Sequence, residues 1–354
     1  MTASSVAKTV DGLVRGFCLW FVGTRRLLSA DGGTGSCWPT GPLRKARLLW
    51  QTLRMTLTPL PCRRLIVNGD DFGLSTQVNA GIVHAHCSGI LTSTSLMVTG
   101  PAWEDAVALA KATPSLSVGL HLTLVQGRAV LSPHLLPDLT DHEGNFSHNP
   151  TLAGLRYFFS RRARTQVRAE CRAQLERFLA TGLTLAHVDG HLHLHMHPAV
   201  HAILLDLAKE YGIAAMRLTR EDLATSLALD AHHGLRKCWE SLIFTRLSQV
   251  AEKKLRAGGI AFPHALFGLH QSGDLNERYL LKLLPRLREG VTELYCHPSF
   301  LPCPEVQRWT PTYRRDVELE ALTSPAVRAA VAAQGVTLIS YRDLRPARTD
   351  STAR

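Results

Sequence analysis

The sequence predicts an α/β protein built as a single distorted (β/α) barrel of about seven parallel strands. Three observations carry this. Short apolar runs alternate with stretches of helical spacing along most of the chain, as βαβ units do. No GxGxxG follows the first run, which argues against an open dinucleotide-binding sheet. Ionisable residues recur just where four of the runs end, and in barrels of this kind the C-terminal strand ends carry the site.

The elements follow in order. RRLIVN (63–68) reads as a buried strand, 76–88 as a helix, STSLMV (93–98) as a second strand and 102–112 as a helix. LSVGLHL (116–122) is a third strand. Residues 125–150, with Pro133, Pro137, Gly144 and Asn145, read as a long loop. Val167, Cys171, Leu175, Phe178 and Leu179 put an amphipathic helix over 164–181, and Gly182 ends it. A strand is expected at 183–189, a helix at 198–211 and a strand at 212–218. Helices are expected at 238–257 and 276–289, a strand at 291–297, a helix at 315–333 and a last strand at 335–340. The barrel domain is placed at 59–345, with a disordered tail at 346–354.

Residues 1–58 look foreign to this pattern. They hold Gly/Ser/Thr/Pro clusters such as ADGGTGSCWPTGP and no sustained periodicity. We read them as a disordered arm, or as a stretch upstream of a natural start at Met55. The competing reading is a basic membrane-surface segment, with Leu, Trp and Phe beside Arg in LVRGFCLWFVGTRRLL.

At 354 residues, 45% hydrophobic and 19% charged, the chain has the make-up of an ordinary globular protein. Its formal net charge is +11, but eight basic residues against two acidic ones place over half of that before residue 59. No patch of Lys and Arg with interleaved aromatics stands in the body, so a nucleic-acid partner is not expected. Eight scattered cysteines form no CxxC pair, which fits reduced thiols in a cytoplasm. No apolar run reaches the ~20 residues that span a bilayer. The expected location is cytoplasmic, with peripheral contact at the inner membrane.

Asp70 and Asp71 stand side by side in NGDDFGLS, after an apolar strand. Two such carboxylates need partners. Ser75 is available to cap the following helix, so the aspartates are free for chemistry, one as a metal ligand and the other as a base. His121 ends the strand SVGLHL. VDGHLHLHMHP (188–198) sets His191, His193, His195 and His197 at every second position after Asp189. On a strand these four would face one side. An ion that keeps a position open takes about three protein ligands, so Asp71 and His121 leave room for one histidine of the run. Asp189 is placed to accept the spare N–H of His191. His193 and His195 are left as substrate contacts or packing, and His197 and His201 as structural residues at a helix start. His297, in YCHPSF, suits a general acid at the barrel mouth. Arg217 follows a strand and is positioned to orient a carboxylate or a sugar. No nucleophile elbow of the form GxSxG occurs, so covalent acyl-enzyme chemistry is not expected.

NGDDFGLS, SVGLHL, DGHLHLH and YCHPSF, in this order over residues 63 to about 344, resemble the YdjC-like carbohydrate deacetylase family. The wording of RRLIVNGDDFGLSTQVNAGIVHAH and VDGHLHLHMHPAV is most similar to its hopanoid-biosynthesis-associated branch, HpnK. The resemblance implies a barrel related to the polysaccharide deacetylases and hydrolysis of an N-acetyl group from an N-acetylglucosamine unit. In that branch the unit is carried on a hopanoid lipid. It also implies Asp71, His121 and His191 as ligands of one divalent ion and Asp70 as the proton acceptor. The family points to magnesium, whereas two imidazoles and a carboxylate suit zinc by ligand chemistry. Two rivals stand beside this reading. A two-metal amidohydrolase or phosphoesterase barrel also uses HxH, but after its first strand. A histidine-rich metal-binding or chaperone protein would explain the run, but not Asp70, His121 and His297.

Overall fold

The computed structural model describes residues 63–344; the expected extension 1–58 and tail 346–354 lie outside them. The first apolar run forms β1 (Arg63–Phe72), buried from Leu65 to its end. Leu, Ile and Val in succession suit a strand covered on both faces. After it come α1 (Thr76–Ser88), β2 (Ser93–Leu96), α2 (Trp103–Ala112) and β3 (Ser117–Leu122). A long loop leads to α3 (Pro150–Phe159), α4 (Arg161–Ala180), β4 (Val188–Gly190) and α5 (Pro198–Tyr211). Next are α6 (Leu223–Leu229), α7 (Gly234–Ala257), β5 (Ala265–Phe267), α8 (Glu277–Leu283) and β6 (Gly290–Cys296). The last α-helices and strand among the described residues are α9 (Pro304–Trp309), α10 (Arg315–Thr323), α11 (Pro325–Ala333) and β7 (Val336–Leu338).

All strand pairs are parallel. The order is β4-β3-β2-β1-β6-β5, and β7 pairs with the first residues of β1. Residues 214–220 link the two outer strands. Met216 bridges Val188, Ala215 bridges Ala261, and the Arg220 carbonyl accepts from Leu266 N at 2.9 Å. The sheet thereby curls into a distorted barrel with one irregular stave.

That stave corrects the strand expected at 212–218. Ala215 and Met216 pair with different neighbours, so no ladder builds. The strand expected at 183–189 is regular only over Val188–Gly190, although Ala186 N and the His187 carbonyl already bond to β3. The single helix expected at 315–333 is two. Ser324 accepts from Ala326 N and Val327 N and starts α11 with Pro325 at its first position, an arrangement that ends one helix and opens another. The loop of 125–150 gives way to α3, capped by Asn149 with Pro150 at its first position. α3, α6, α9 and β5 were not anticipated.

One irregularity positions the site. Gly69 pairs with Thr94 and Phe72 with Leu96, so β1 uses three steps where β2 uses two. The extra residue is a bulge. Within it Asp71 has φ 67°, a left-handed conformation that aspartate tolerates better than most residues.

Candidate metal centre

The C-terminal ends of β1, β3, β4 and β6 meet around a cavity of about 290 Å³, lined among others by Asp70, Asp71, His121, His191, His193 and His297. A larger depression of about 580 Å³ shares Arg236 and Ser272 with it but contains none of these residues; the chemistry belongs to the smaller one.

Asp71, His121 and His191 turn one ligand atom each toward a common point, all within 4.8 Å of one another. His191 Nδ1 is 3.2 Å and His121 Nε2 3.5 Å from Asp71 Oδ1. Arg315 Nη2 donates to the other carboxylate oxygen, Oδ2, at 2.7 Å. Oδ1 is buried with no hydrogen-bond partner. Burial opposes charge on Asp71, yet Arg315 and His191 hold its carboxyl well below the usual carboxylate range. An ionised oxygen in the interior with imidazole nitrogens beside it but no hydrogen bond made is the setting a cation takes. The donor set fits a divalent cation.

His121 is oriented through its far nitrogen. Nδ1 bonds Asp189 Oδ1 at 2.8 Å, which leaves Nε2 for the cavity. Burial alone would lower its pKa, but Asp189 raises it to about 9. This carboxylate–imidazole pairing strengthens a ligand. The expectation that Asp189 orients His191 is thereby corrected. Asp189 sits in register with His121 on paired strands β4 and β3, where cross-strand side chains meet. Its other oxygen accepts from Ser95 Oγ at 2.7 Å and pairs with Arg217 at 2.9 Å.

Arg217 is fully buried and grips the protein's own carboxylates. Nη1 and Nη2 donate to the two oxygens of Asp70, each at 2.7 Å, and Nε donates to Glu293 at 2.9 Å. Asn68 Nδ2 donates to Asp70 Oδ1 at 2.8 Å. A carboxylate has about four lone-pair sites, so Asp70 Oδ2, bonded to Arg217 Nη1, retains one, and Asp70 lines the cavity. Glu293 in turn accepts from Tyr341 Oη at 2.6 Å, and Tyr341 stacks on His187 with ring centroids 3.6 Å apart.

The histidine run is not a strand. After Gly190 the chain makes a tight 3₁₀ turn, with Leu192 and His193 left-handed at φ 50° and 56°, so the four rings diverge. His191 reaches the Asp71–His121 pair. His193 lines the cavity and bonds Tyr295 Oη at 3.1 Å. His195 is buried apart from the cavity lining. His197 stands at the N-cap position of α5 without a side-chain capping bond and packs on Tyr157 and Phe158, and His201 is buried within that helix. His297 lines the cavity, its backbone N–H donating to Glu318 at 2.5 Å. Burial holds its imidazole down at about 4, so it is neutral near pH 7.

The sequence reading missed Arg315, Ser95, Glu293 and Glu318. Ser95 and Glu293 lie inside the expected strands β2 and β6 but outside the quoted motifs, and Arg315 and Glu318 reach the site from α10. A buried cation for Asp71 was nevertheless required once Asp70 and Asp71 were placed inside.

Fold and site together define an α/β-barrel protein with a buried Asp-His-His centre at its strand ends. A family model described as YdjC-like protein matches residues 64–333, and the chain belongs to that family. It is 34% identical over 79% of its length to 99% of a carbohydrate deacetylase of Brevibacillus brevis. It is 33% identical, over 79% of its length, to 98% of one from Geobacillus stearothermophilus. A crystal structure of a presumed cellobiose-phosphate cleavage protein of Enterococcus faecalis superposes with a TM-score of 0.63 at 27% identity. That match covers 79% of this chain and 98% of the other.

Proposed function

We propose that this protein is a metal-dependent carbohydrate deacetylase that hydrolyses the N-acetyl group of an N-acetylglucosamine-containing glycan or glycolipid. The carrying observation is the orphaned, ionised Asp71 Oδ1 facing His121 and His191, with Asp70 beside it in the same cavity. The carbohydrate deacetylases among its relatives support the reaction class.

Asp71, His121 and His191 would hold one divalent cation, which supplies Lewis acidity to the attacking water and the acetyl carbonyl. Asp70 accepts a proton from the water through its remaining Oδ2 lone pair. Arg217 fixes the plane of that carboxylate, so the base is aimed before substrate arrives. Water oxygen adds to the amide carbon. The carbon–nitrogen bond then breaks as His297 protonates the sugar nitrogen. An unprotonated amide nitrogen is a poor leaving group, so this transfer is needed. Because burial keeps His297 neutral beforehand, the proton it gives to the nitrogen is the one Asp70 took from water, relayed to the imidazole within the cycle. Acetate and the free amine result.

Two imidazoles and one carboxylate favour zinc by ligand chemistry, and magnesium stands as the alternative. Metal analysis of protein purified without chelator identifies the ion. Asp70→Asn should retain the metal and lose acetate release; full turnover in that variant overturns the assignment of the base. The finer reading of the substrate is an N-acetylglucosaminyl hopanoid. Accumulation of an N-acetylated glycolipid in a deletion strain, read by mass spectrometry, is the expected result. An unchanged lipid profile overturns that substrate and leaves the deacetylase reading standing.

A further inference from the structure

The outer surface of α7 is unlike that of a helix that meets only water. Leu235, Trp239, Leu242 and Val250 fall at spacings of four, seven and fifteen residues, so they form one stripe along the helix. All four are more than half exposed, Leu235 at 84% and Trp239 at 67%. Ile243 extends the stripe sideways. Exposed Arg246 and Lys253 stand on the same line. The opposite side of α7 carries Ser248, Ala251 and Leu255 into the core and sends Glu240 and Phe244 to the wall of the candidate site. One helix therefore has a face toward the cavity and an apolar, basic face toward the outside.

A second element repeats the pattern. α3 exposes Leu152, Leu155, Phe158 and Phe159, with Phe159 at 75%. Exposed Arg156 lies within it and exposed Arg161 and Arg162 just beyond. α3 and α7 both pack on α5. Leu192, 40% exposed, lies between the metal-ligand candidate His191 and His193 and lines the cavity itself. Phe158 touches the ring of His197 at the end of the same turn. The exposed apolar groups thus flank the segment that carries the site.

We propose that the outer face of α7, with the exposed end of α3 beside it, docks on an anionic lipid bilayer and turns the cavity toward amino sugars carried on lipid. A contiguous row of exposed apolar side chains on a water-facing helix marks an interaction surface. Trp and Leu interspersed with Arg and Lys match a membrane interface. Charge complementarity selects the occupant. The stripe carries exposed Arg246 and Lys253, so a second copy of this face repels it. An anionic leaflet attracts it. No helix among the described residues is long and apolar enough to cross a membrane; the proposed contact lies on the surface. The lipid-borne substrate rests on the deacetylase reading above, whereas the docking does not.

The test is co-sedimentation of the full chain with phosphatidylcholine vesicles containing or lacking phosphatidylglycerol. Wild type should bind the anionic vesicles and be released by high salt. Trp239→Glu/Leu242→Glu should weaken that binding roughly tenfold or more. Neither residue lines the cavity, so acetate release from a water-soluble N-acetylated sugar should match wild type. If the double variant melts early, Arg246→Glu replaces it and should reduce binding at low salt. Wild type that fails to bind overturns the proposal. So does a folded variant that binds as well as wild type, or a concentration-dependent dimer that the variant disperses while vesicle binding is unchanged. If neither protein releases acetate yet the binding difference holds, the docking stands and the catalytic reading falls.

Discussion

Asp71 is held from three sides, and each contact has its own consequence. Arg315 takes one oxygen, and His121 and His191 approach the other. Asp71→Asn should reduce bound divalent metal from about one ion per chain to background, read by elemental analysis after dialysis. Arg217 behaves differently. Replacing it with Met leaves Asp70, Asp189 and Glu293 buried without their cation. Breaking a buried ion pair on one side costs about 3–5 kcal/mol, so urea unfolding of Arg217→Met should show a loss of that order. The sequence made the candidate residues that the structure gathers at one cavity legible, because Asp70, Asp71, His121, His191 and His297 each stand at or just after the end of an apolar run. It did not reveal who holds them. Asp189 looked like the partner of its neighbour His191, but pairing across strands joins it to His121. Arg315 lies 244 positions from the carboxylate it binds, beyond the reach of any local pattern.

At the scale of elements, the bulge in β1 and the cap of α1 act together. The bulge delivers two consecutive carboxylates to one cavity, which a regular strand would send to opposite faces. Four residues on, Ser75 accepts from Val78 N at 3.1 Å and opens α1. Ser75→Ala should lower stability by about 1 kcal/mol in denaturant melts, with bound metal retained. Long periodic helices and apolar strands were readable from spacing, as α1 and α5 show by matching their expected limits. The errors arose where tertiary pairing decides. Three-residue β5 is too short to carry a period. Residues 212–218 have strand composition but divide their bonds between two neighbours.

For the whole molecule, stability is tied to pH through buried carboxyls that are not metal-ligand candidates. Glu221 is buried and accepts from Ser226 Oγ at 2.5 Å and from Leu269 N at 2.8 Å. Burial raises its pKa from 4.5 to about 7. The raised folded value means that its stabilising contribution is complete below about 4.5 and is lost as pH rises through about 7. Thermal unfolding of Glu221→Gln should therefore lose part of the wild-type decline in stability over that window, a difference on the order of 3 kcal/mol. Glu318, also raised to about 7 by burial, should give wild type a residual slope of the same sign.

The return of the last strand has a bearing on how the molecule is made. β7 pairs with the opening residues of β1, and Tyr341 just after it closes the floor by stacking on His187 and bonding Glu293. Through Glu293 that floor reaches Arg217 and so Asp70. During synthesis every donor residue emerges before the group that braces them. A ribosome-bound chain stopped ahead of Val336 would carry all the candidate chemistry yet lack its brace, so activity should switch on only when the final stretch is released.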